Sequence, residues 1–132
     1  MHVLTLQTAQ REELRIITEP LQELVREQGW QNGALLLFCP HTTAALTVNE
    51  AADPDVALDM KTFMHKLVPS HGDFRHAEGN SDAHIKTSLF GPHCMLILEQ
   101  GRIRLGTWQG IYFCEWDGPR KRTLWIQFLP GE

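Results

Sequence analysis

The sequence predicts one α+β domain over residues 1–132, with a mainly antiparallel, β-sandwich-like core and two or three short helices. Three observations support this prediction. Short runs that are apolar or alternate between apolar and polar residues, as strands do, fill both ends of the chain. Helix-start and helix-stop signals lie between them. The chain has 132 residues, which is enough for one domain and too few for two.

The N-terminal part of the chain predicts three strands and one helix. The runs HVLTLQT and ELRIIT predict the first two strands. A helix follows Thr18, whose hydroxyl is placed to cap it, and Gly29 is placed to end it. The run GALLLFCP is apolar without alternation, which predicts a strand covered on both faces.

The middle of the chain predicts a fourth strand, AALTVN, followed by two helices. Asp53 before Pro54 is a strong helix start, because the first side chain can cap the helix and proline suits its first position. Four apolar residues then recur at helical spacing: Val56, Met60, Phe63 and Leu67. A polar loop precedes a shorter helix, predicted from about Asp82 to Phe90.

The C-terminal part predicts two hairpins. The run HCMLILEQGRIRLG contains a turn signal near Gly101, and GIYFCEWDGPRKRTLWIQFL contains one at Asp117-Gly118. Paired strands of this kind are the reason for expecting a mainly antiparallel sheet system.

Composition excludes several classes of function. The formal net charge is -4, so the chain has no general basic footprint for nucleic acid. The longest apolar run, ALLLFC, is far shorter than the roughly twenty residues of a membrane span, and no signal peptide is visible. The three cysteines lack a CxxC spacing, which predicts free thiols in a reducing compartment. We therefore expect a cytoplasmic protein.

Residues that can carry chemistry fall into five polar groups, of which the first two lie close together. His41, Thr42 and Thr43 follow Pro40, which ends the apolar strand. His41 is then either a site residue or a histidine bonded to a nearby carbonyl. The second group is Asn49 and Glu50, with Asp59 behind them.

The third group, HAEGNSDAH, is the densest. His76, Asn80 and His84 are four residues apart, but Gly79 argues against one continuous helix. Together with His41, the two histidines would make three imidazoles, a common catalytic metal set with an open fourth position. The short local patterns that constrain metal ligands are missing here.

The last two groups lie near the C-terminus. Trp108 and Gln109 stand between two glycines, where the tryptophan is either a core or interface residue or a platform for a ring. In EWDGPRKR, the Asp-Gly-Pro sequence predicts a turn. Arg120 is either a charged tip or a planar fork for a phosphate group.

Taken together, the stretches PHTTAALTVNE, HAEGNSDAHIKTSLFG and GRIRLGTWQGIYFCEWDGPR, with Asp59 and Arg122, resemble the YjbQ family, often labelled secondary thiamine-phosphate synthase. The resemblance covers nearly the whole chain. It implies a compact YjbQ-like fold, a homotrimer, and a pocket near subunit contacts able to hold a metal or an anion. The shared polar positions fall on His41, Thr42, Thr43, Asn49, Glu50, Asp59, His76, Asn80, His84, Trp108, Gln109, Glu115 and Arg120.

The activity that this resemblance implies joins hydroxymethylpyrimidine pyrophosphate to thiazole phosphate. We expect a small phosphorylated substrate and a divalent metal, Zn²⁺ or Mg²⁺. The expected catalytic residues are His41, Glu50, Asn80, His84 and Arg120. The expected substrate-binding residues are Thr42, Thr43, Asn49, Trp108, Gln109 and Glu115, and the expected metal ligands are His41, His76 and His84. Two alternatives stay open: a metal-dependent hydrolase or lyase with a three-histidine site, and a non-catalytic trimeric module that binds a phosphorylated metabolite.

Overall fold

The computed structural model describes all residues, 1–132, as eight strands and three helices. The strands are β1 (His2–Gln7), β2 (Glu13–Ile16), β3 (Gly33–Phe38), β4 (Ala44–Glu50), β5 (His93–Glu99), β6 (Arg102–Arg104), β7 (Gln109–Glu115) and β8 (Lys121–Pro130). The helices are α1 (Thr18–Gln28), α2 (Pro54–Leu67) and α3 (Ser81–Phe90). The predicted α+β class is confirmed.

The strands form two antiparallel sheets. The five-stranded sheet has the order β1-β8-β3-β5-β6, and the three-stranded sheet has the order β2-β7-β4. Leu35 and Leu37 of β3, Leu46 of β4 and Phe113 of β7 meet between the sheets in one buried core. Leu21 and Val25 of α1 join the same core. The two sheets therefore pack face to face, as the β-sandwich-like prediction requires.

The two later helices cover the other face of the three-stranded sheet. Met64 and Val68 from the α2 region and Ala83 of α3 pack there against Cys114 and Trp116 in a second buried cluster. The domain thus has three layers, in the order five-stranded sheet, three-stranded sheet, helices. No helix is both long and apolar enough to cross a membrane.

The outer face of the five-stranded sheet has no layer over it. Six large apolar side chains there are at least 40% exposed, and we call them the outer sheet face: Val3, Phe38, Met95, Ile97, Trp125 and Leu129. Phe38 and Trp125 stack on each other with ring centroids 6.0 Å apart. The prediction that β3 is covered on both faces is therefore wrong for a single chain, because one face of the strand packs in the core and the other meets solvent.

Helix α1 begins one residue earlier than expected. Thr18 is its first helical residue, and the hydroxyl of Thr18 accepts a hydrogen bond from the backbone N–H of Ile111 at 3.0 Å. The predicted cap is wrong because a strand donor competes for the same oxygen. Gly29 ends the helix in the left-handed conformation, as predicted.

Helix α2 begins as predicted, since the Asp53 side chain accepts from the Asp55 N–H at 2.9 Å. Its predicted apolar face is wrong. The buried residue is Met64, while Phe63 and Leu67 are 62% and 55% exposed. Helix α2 has two apolar stripes one residue apart, one with Phe63 and Leu67 and one with Ala57 and Met64. The spacing alone does not decide which of them is buried. The stripe that contains Ala57 faces the sheet, because its small side chain permits a close approach.

The second predicted hairpin is also wrong. β7 pairs with β2 and β4, whereas β8 pairs with β1 and β3 in the other sheet. The turn at Asp117-Gly118 exists, but it carries the chain from one sheet to the other. Because β7 is the central strand of its sheet, it has no free edge on which β8 could pair.

Candidate functional site

The antiparallel pair β4–β7 separates the predicted site residues into two sets. Ala44 lies opposite Glu115 at one end of the pair, and Glu50 lies opposite Gln109 at the other. Six residue steps along a strand span about 20 Å. We call the first the turn end, because it adjoins the turn after β7, and the second the carboxylate end.

A buried ion pair forms the centre of the turn end. Arg122 donates from Nε to Oε2 of Glu115 at 2.8 Å and from Nη2 to Oγ1 of Thr43 at 2.8 Å. Thr8 donates to the same carboxylate at 2.9 Å. Burial raises the pKa of Glu115, but the hydrogen bonds from Arg122, the Asp117 N–H and Thr8 outweigh it, so the pKa lies below the ordinary value. Glu115, predicted to bind substrate, is wholly buried and bonded within the chain.

His41 lies beside this ion pair. The backbone N–H of Thr123 donates to its Nε2 at 3.0 Å. The Thr123 carbonyl lies 3.1 Å from the same nitrogen, so Nε2 accepts from the N–H when it is unprotonated and donates to the carbonyl when it is protonated. Burial lowers the pKa of His41, and the positive charge of Arg122 lowers it further. Of the two interpretations left open by the sequence, a histidine bonded to nearby backbone describes the single chain. The neighbouring Thr42 is exposed.

Asn80 and Arg120 meet at Asp117, which joins the third polar group to the fifth. Nδ2 of Asn80 donates to Oδ2 of Asp117 at 2.9 Å, and Nη2 of Arg120 donates to the same oxygen at 3.1 Å. Arg120 also donates from Nε to the Asp117 carbonyl at 2.8 Å. Oδ1 of Asn80 is buried without a partner in the chain. The cluster therefore keeps an unused acceptor on Asn80 and one guanidinium nitrogen, Nη1, on Arg120.

The two histidines of the third group lie together. The rings of His76 and His84 meet edge to face with centroids 5.5 Å apart. His76 also lies 3.8 Å from the Glu78 carboxylate. No group of three or more His, Cys, Asp or Glu side chains in the chain could hold a metal ion. The predicted three-histidine site is therefore not assembled within one chain, where His41 is bonded to the Thr123 backbone.

The carboxylate end is more open. Trp108 is 64% exposed. Oε1 of Gln109 accepts from the Gly106 N–H at 2.8 Å, and one carboxylate oxygen of Glu50 accepts from the Ala52 N–H at 3.0 Å. The other carboxylate oxygen of Glu50 has no hydrogen bond in the chain. Asn49 is also exposed, so this end presents a carboxylate, an amide and an indole ring to solvent. Asp59 is exposed on α2.

Residues 2–131 match the family described as UPF0047 protein YjbQ-like. The chain belongs to the YjbQ family. It is 47% identical to the UPF0047 protein YugU of Bacillus subtilis over 130 residues, 98% of each chain. It is 44% identical to a UPF0047 protein of Methanocaldococcus jannaschii, over 94% of this chain and 90% of that one.

Solved structures of relatives share the fold. A YjbQ/UPF0047-family protein of Clostridium acetobutylicum aligns with a TM-score of 0.94 at 45% identity, covering 98% of this chain and 100% of that one. A conserved protein of Thermus thermophilus aligns with a TM-score of 0.92 at 42% identity, again covering 98% and 100%. The YjbQ-like fold predicted from the sequence motifs is therefore confirmed.

Sequence reasoning missed a second buried charge cluster in this YjbQ-family chain. Asp82 accepts hydrogen bonds from Nη1 and Nη2 of Arg11, each at 3.0 Å, and from Nζ of Lys86 at 2.9 Å. Lys86 is wholly buried and also donates to Glu12 at 3.2 Å. Burial raises the pKa of Asp82, but the hydrogen bonds from Arg11 and Lys86 outweigh it, so the pKa is lowered. The spacing of Asp82 and Lys86, four apart on a predicted helix, was the available signal.

Proposed function

We propose that the protein is a cytoplasmic homotrimer that joins hydroxymethylpyrimidine pyrophosphate to thiazole phosphate, at sites formed where two copies meet. One observation carries this proposal. Of the residues that the family motifs assign to one site, Glu50 and Gln109 lie at one end of the β4–β7 pair and Glu115 lies at the other, about 20 Å away. One chain does not bring them together, whereas the turn end of one copy against the carboxylate end of another would.

Each end supplies half of what the reaction needs. Expelling pyrophosphate from the pyrimidine leaves a methylene cation and requires charge neutralisation on the leaving group. At the turn end, Nη1 of Arg120 is suited to phosphate oxygens, and the imidazoles of His76 and His84 are further candidates on the segment that Asn80 joins to Asp117. At the carboxylate end, the exposed Trp108 offers a ring surface for the pyrimidine. The methylene carbon of the pyrimidine must be held in line with the attacking thiazole.

Glu50 and Asp59 are the carboxylates that we expect to hold a divalent cation where two copies meet. Both are free of ion pairs within the chain. Carboxylate oxygens are ligands of Mg²⁺, which usually binds through one or two of them together with substrate phosphates. Such an ion would neutralise the charge that develops on pyrophosphate.

The trimer is supported by two exposed apolar surfaces that differ from each other. The outer sheet face lies on the first layer of the domain, and the exposed stripe of α2 with Phe63 and Leu67 lies on the third. Because these patches lie on opposite layers of the domain, one copy cannot present both to the same partner, so they cannot form a two-fold contact with each other. They can pair head to tail, and such contacts close into rings when the rotation permits. The unalternating sequence of β3 also agrees with a strand that is covered on both faces once a second copy binds.

The reaction is tested directly with the purified protein, both substrates and Mg²⁺, by following thiamine phosphate with mass spectrometry. We expect product from the wild type. If Zn²⁺-loaded protein instead hydrolyses phosphate esters, the three-histidine hydrolase replaces the proposal. If the protein binds a phosphorylated ligand without turnover, it is a binding module.

Subunit complementation tests the composite site separately. Arg120→Ala removes function from the turn end, and Trp108→Ala removes it from the carboxylate end. Each variant alone should be inactive. Co-expressed copies with different tags should recover up to about a quarter of wild-type activity, since random mixing gives that fraction of interfaces with both intact ends. Active wild type with no recovery in verified mixed oligomers would show that each site lies within one chain.

A further inference from the structure

A cavity lies away from both ends of the proposed site. It has a volume of about 460 Å³ and opens between the C-terminal half of α1 and the turn that joins β5 to β6. Cavities of this volume are in the range that small-molecule sites occupy. The length of α1, about 15 Å, separates its last turn from Thr18, which bonds Ile111 beside the carboxylate end.

The lining of this cavity is cationic on an acidic protein. Arg26 of α1 and Arg102 of β6 stand on its two walls, and no Asp or Glu lines it. The whole chain carries a formal net charge of -4, so the charge of the cavity lining is opposite in sign to that of the protein. Arg26 is paired with Glu23 on the helix surface, whereas Arg102 forms no ion pair in the chain.

The turn at the cavity wall is fixed by bonds to other elements. Gln22 of α1 donates from Nε2 to the Gly101 carbonyl at 2.8 Å and accepts from the Ile103 N–H at 3.0 Å. The Gly101 N–H donates to the Gln31 carbonyl at 2.9 Å. Gly101 adopts a φ of 76°, which glycine tolerates without strain. These bonds hold the walls that carry Arg26 and Arg102 at a set spacing before any ligand arrives.

The end of α1 does not oppose an anion here as strongly as a bare helix end would. Helix C-termini carry partial negative charge on unpaired carbonyls. The carbonyls of Val25 and Arg26 each accept a backbone hydrogen bond, from Trp30 and Gly29 at 3.2 Å. Trp30 adds an aromatic wall beside them, stacked on Phe128 with centroids 5.0 Å apart.

We propose that this cavity binds a small organic phosphate whose dianionic group lies between Arg26 and Arg102 and whose apolar part contacts Trp30. Arginine forks match phosphate oxygens in two-point contacts, and glutamine amides supply further donors. The proposal is independent of the activity proposed above, because no residue of the cavity belongs to either end of that site.

The test uses full-length ¹⁵N-labelled protein titrated with adenosine monophosphate, adenosine and inorganic phosphate. We expect saturable shifts of the Gly101 and Ile103 amide resonances with adenosine monophosphate, weaker ones with phosphate and none with adenosine. Arg102→Glu should weaken the binding of adenosine monophosphate at least tenfold. Arg104→Glu is the matched control on the same strand: it makes the same charge change outside the cavity, and we expect less than a twofold effect.

Three results would overturn the proposal. The first is the absence of any saturable shift at these amides up to about 10 mM ligand, beyond which binding is weaker than about 3 kcal/mol. The second is an equal loss from Arg102→Glu and Arg104→Glu, which indicates diffuse charge attraction. The third is equal binding of adenosine, which removes the role of the phosphate.

Discussion

Arg122 and Glu115 tie the two sheets together. Glu115 is the last residue of β7 in the three-stranded sheet, and Arg122 is the second residue of β8 in the five-stranded sheet. Nε of Arg122 lies 2.8 Å from Oε2 of Glu115, and both side chains are at most 3% exposed. Since the β7–β8 connection passes between sheets, this pair fixes the crossing in place of ladder hydrogen bonds.

Removal of Arg122 should destabilise the fold strongly. Arg122→Met leaves the Glu115 carboxylate buried without its partner, and breaking such a pair costs about 3–5 kcal/mol. Urea unfolding at fixed protein concentration measures the change. The double variant with Glu115→Gln should recover part of the loss, because it also removes the buried charge. Arg104→Met, which breaks the exposed pair with Glu99, should change stability by no more than about 0.5 kcal/mol. A loss below about 1 kcal/mol in Arg122→Met would contradict the structural role.

Acid should unfold the protein through the same carboxylate and Asp82. The pKa values of Glu115 and Asp82 are lowered in the fold, from 4.5 and 3.8 respectively. Their contribution is fully present above those ordinary values and is lost as the pH falls through the lower folded values. Melting temperature between pH 7 and pH 3 should therefore fall mainly below about pH 4.5. In Glu115→Gln the decline should be shallower, and an unchanged pH profile in this variant would refute the assignment.

The thiols should be unreactive in the folded protein. Burial raises the pKa of Cys39 and Cys94 to about 11, and it raises the pKa of Cys114 further. The thiolate is the reactive form, so little of it is present at pH 8. We expect slow reaction with a disulfide reagent in buffer and rapid reaction of all three thiols in denaturant. Fast labelling of Cys39 or Cys114 without denaturant would show that the core opens readily.

Arg120→Lys separates a ligand contact from a surface charge. The substitution keeps the charge but loses the planar fork, and we expect the affinity for thiazole phosphate to fall at least about tenfold. The melting temperature should change little, because Arg120 is half exposed. Isothermal titration and thermal melting measure the two effects. Lys121→Ala is the control, since Lys121 is the exposed cation directly after Arg120 and, unlike Arg120, makes no ion pair in the chain.

Two outcomes would decide against this role of Arg120. Equal losses in Arg120→Lys and Lys121→Ala would indicate a general charge effect. A large drop in melting temperature in Arg120→Lys would show that its bonds to Asp117 stabilise the turn and that the side chain is structural.

Most of the elements were predictable, because their signals are local. Asp53-Pro54 starts α2, Gly29 ends α1 and Gly101 lies in a turn, each as its own chemistry requires. The errors concern the partners of these elements. The face of α2 and the pairing of β8 depend on residues far along the chain, and periodicity contains no information about them.

The candidate site divides in the same way. The motifs identified residues whose side chains can bind or react with a ligand. The structure brings two of them, Asn80 and Arg120, together at Asp117. The sequence did not reveal that Glu115 would form a buried ion pair with Arg122. It also did not reveal that His41 would hydrogen-bond to the Thr123 backbone. A side chain's hydrogen-bond partner is set by the meeting of distant strands, so residue type alone does not distinguish a free group from an occupied one.

The sequence by itself determined the α+β class, the order of its elements and the family. Propensity, turn chemistry and ordered motifs depend on residues that are close together in the chain. Tertiary structure alone decided which strands share a sheet, which apolar faces stay bare and which polar residues lie together. The register of β4 against β7 places Glu50 and Glu115 at opposite ends of one strand pair. That separation follows from the straight, extended path of β-strands. A rise of about 3.3 Å per residue puts residues six steps apart along the pair at about 20 Å from each other.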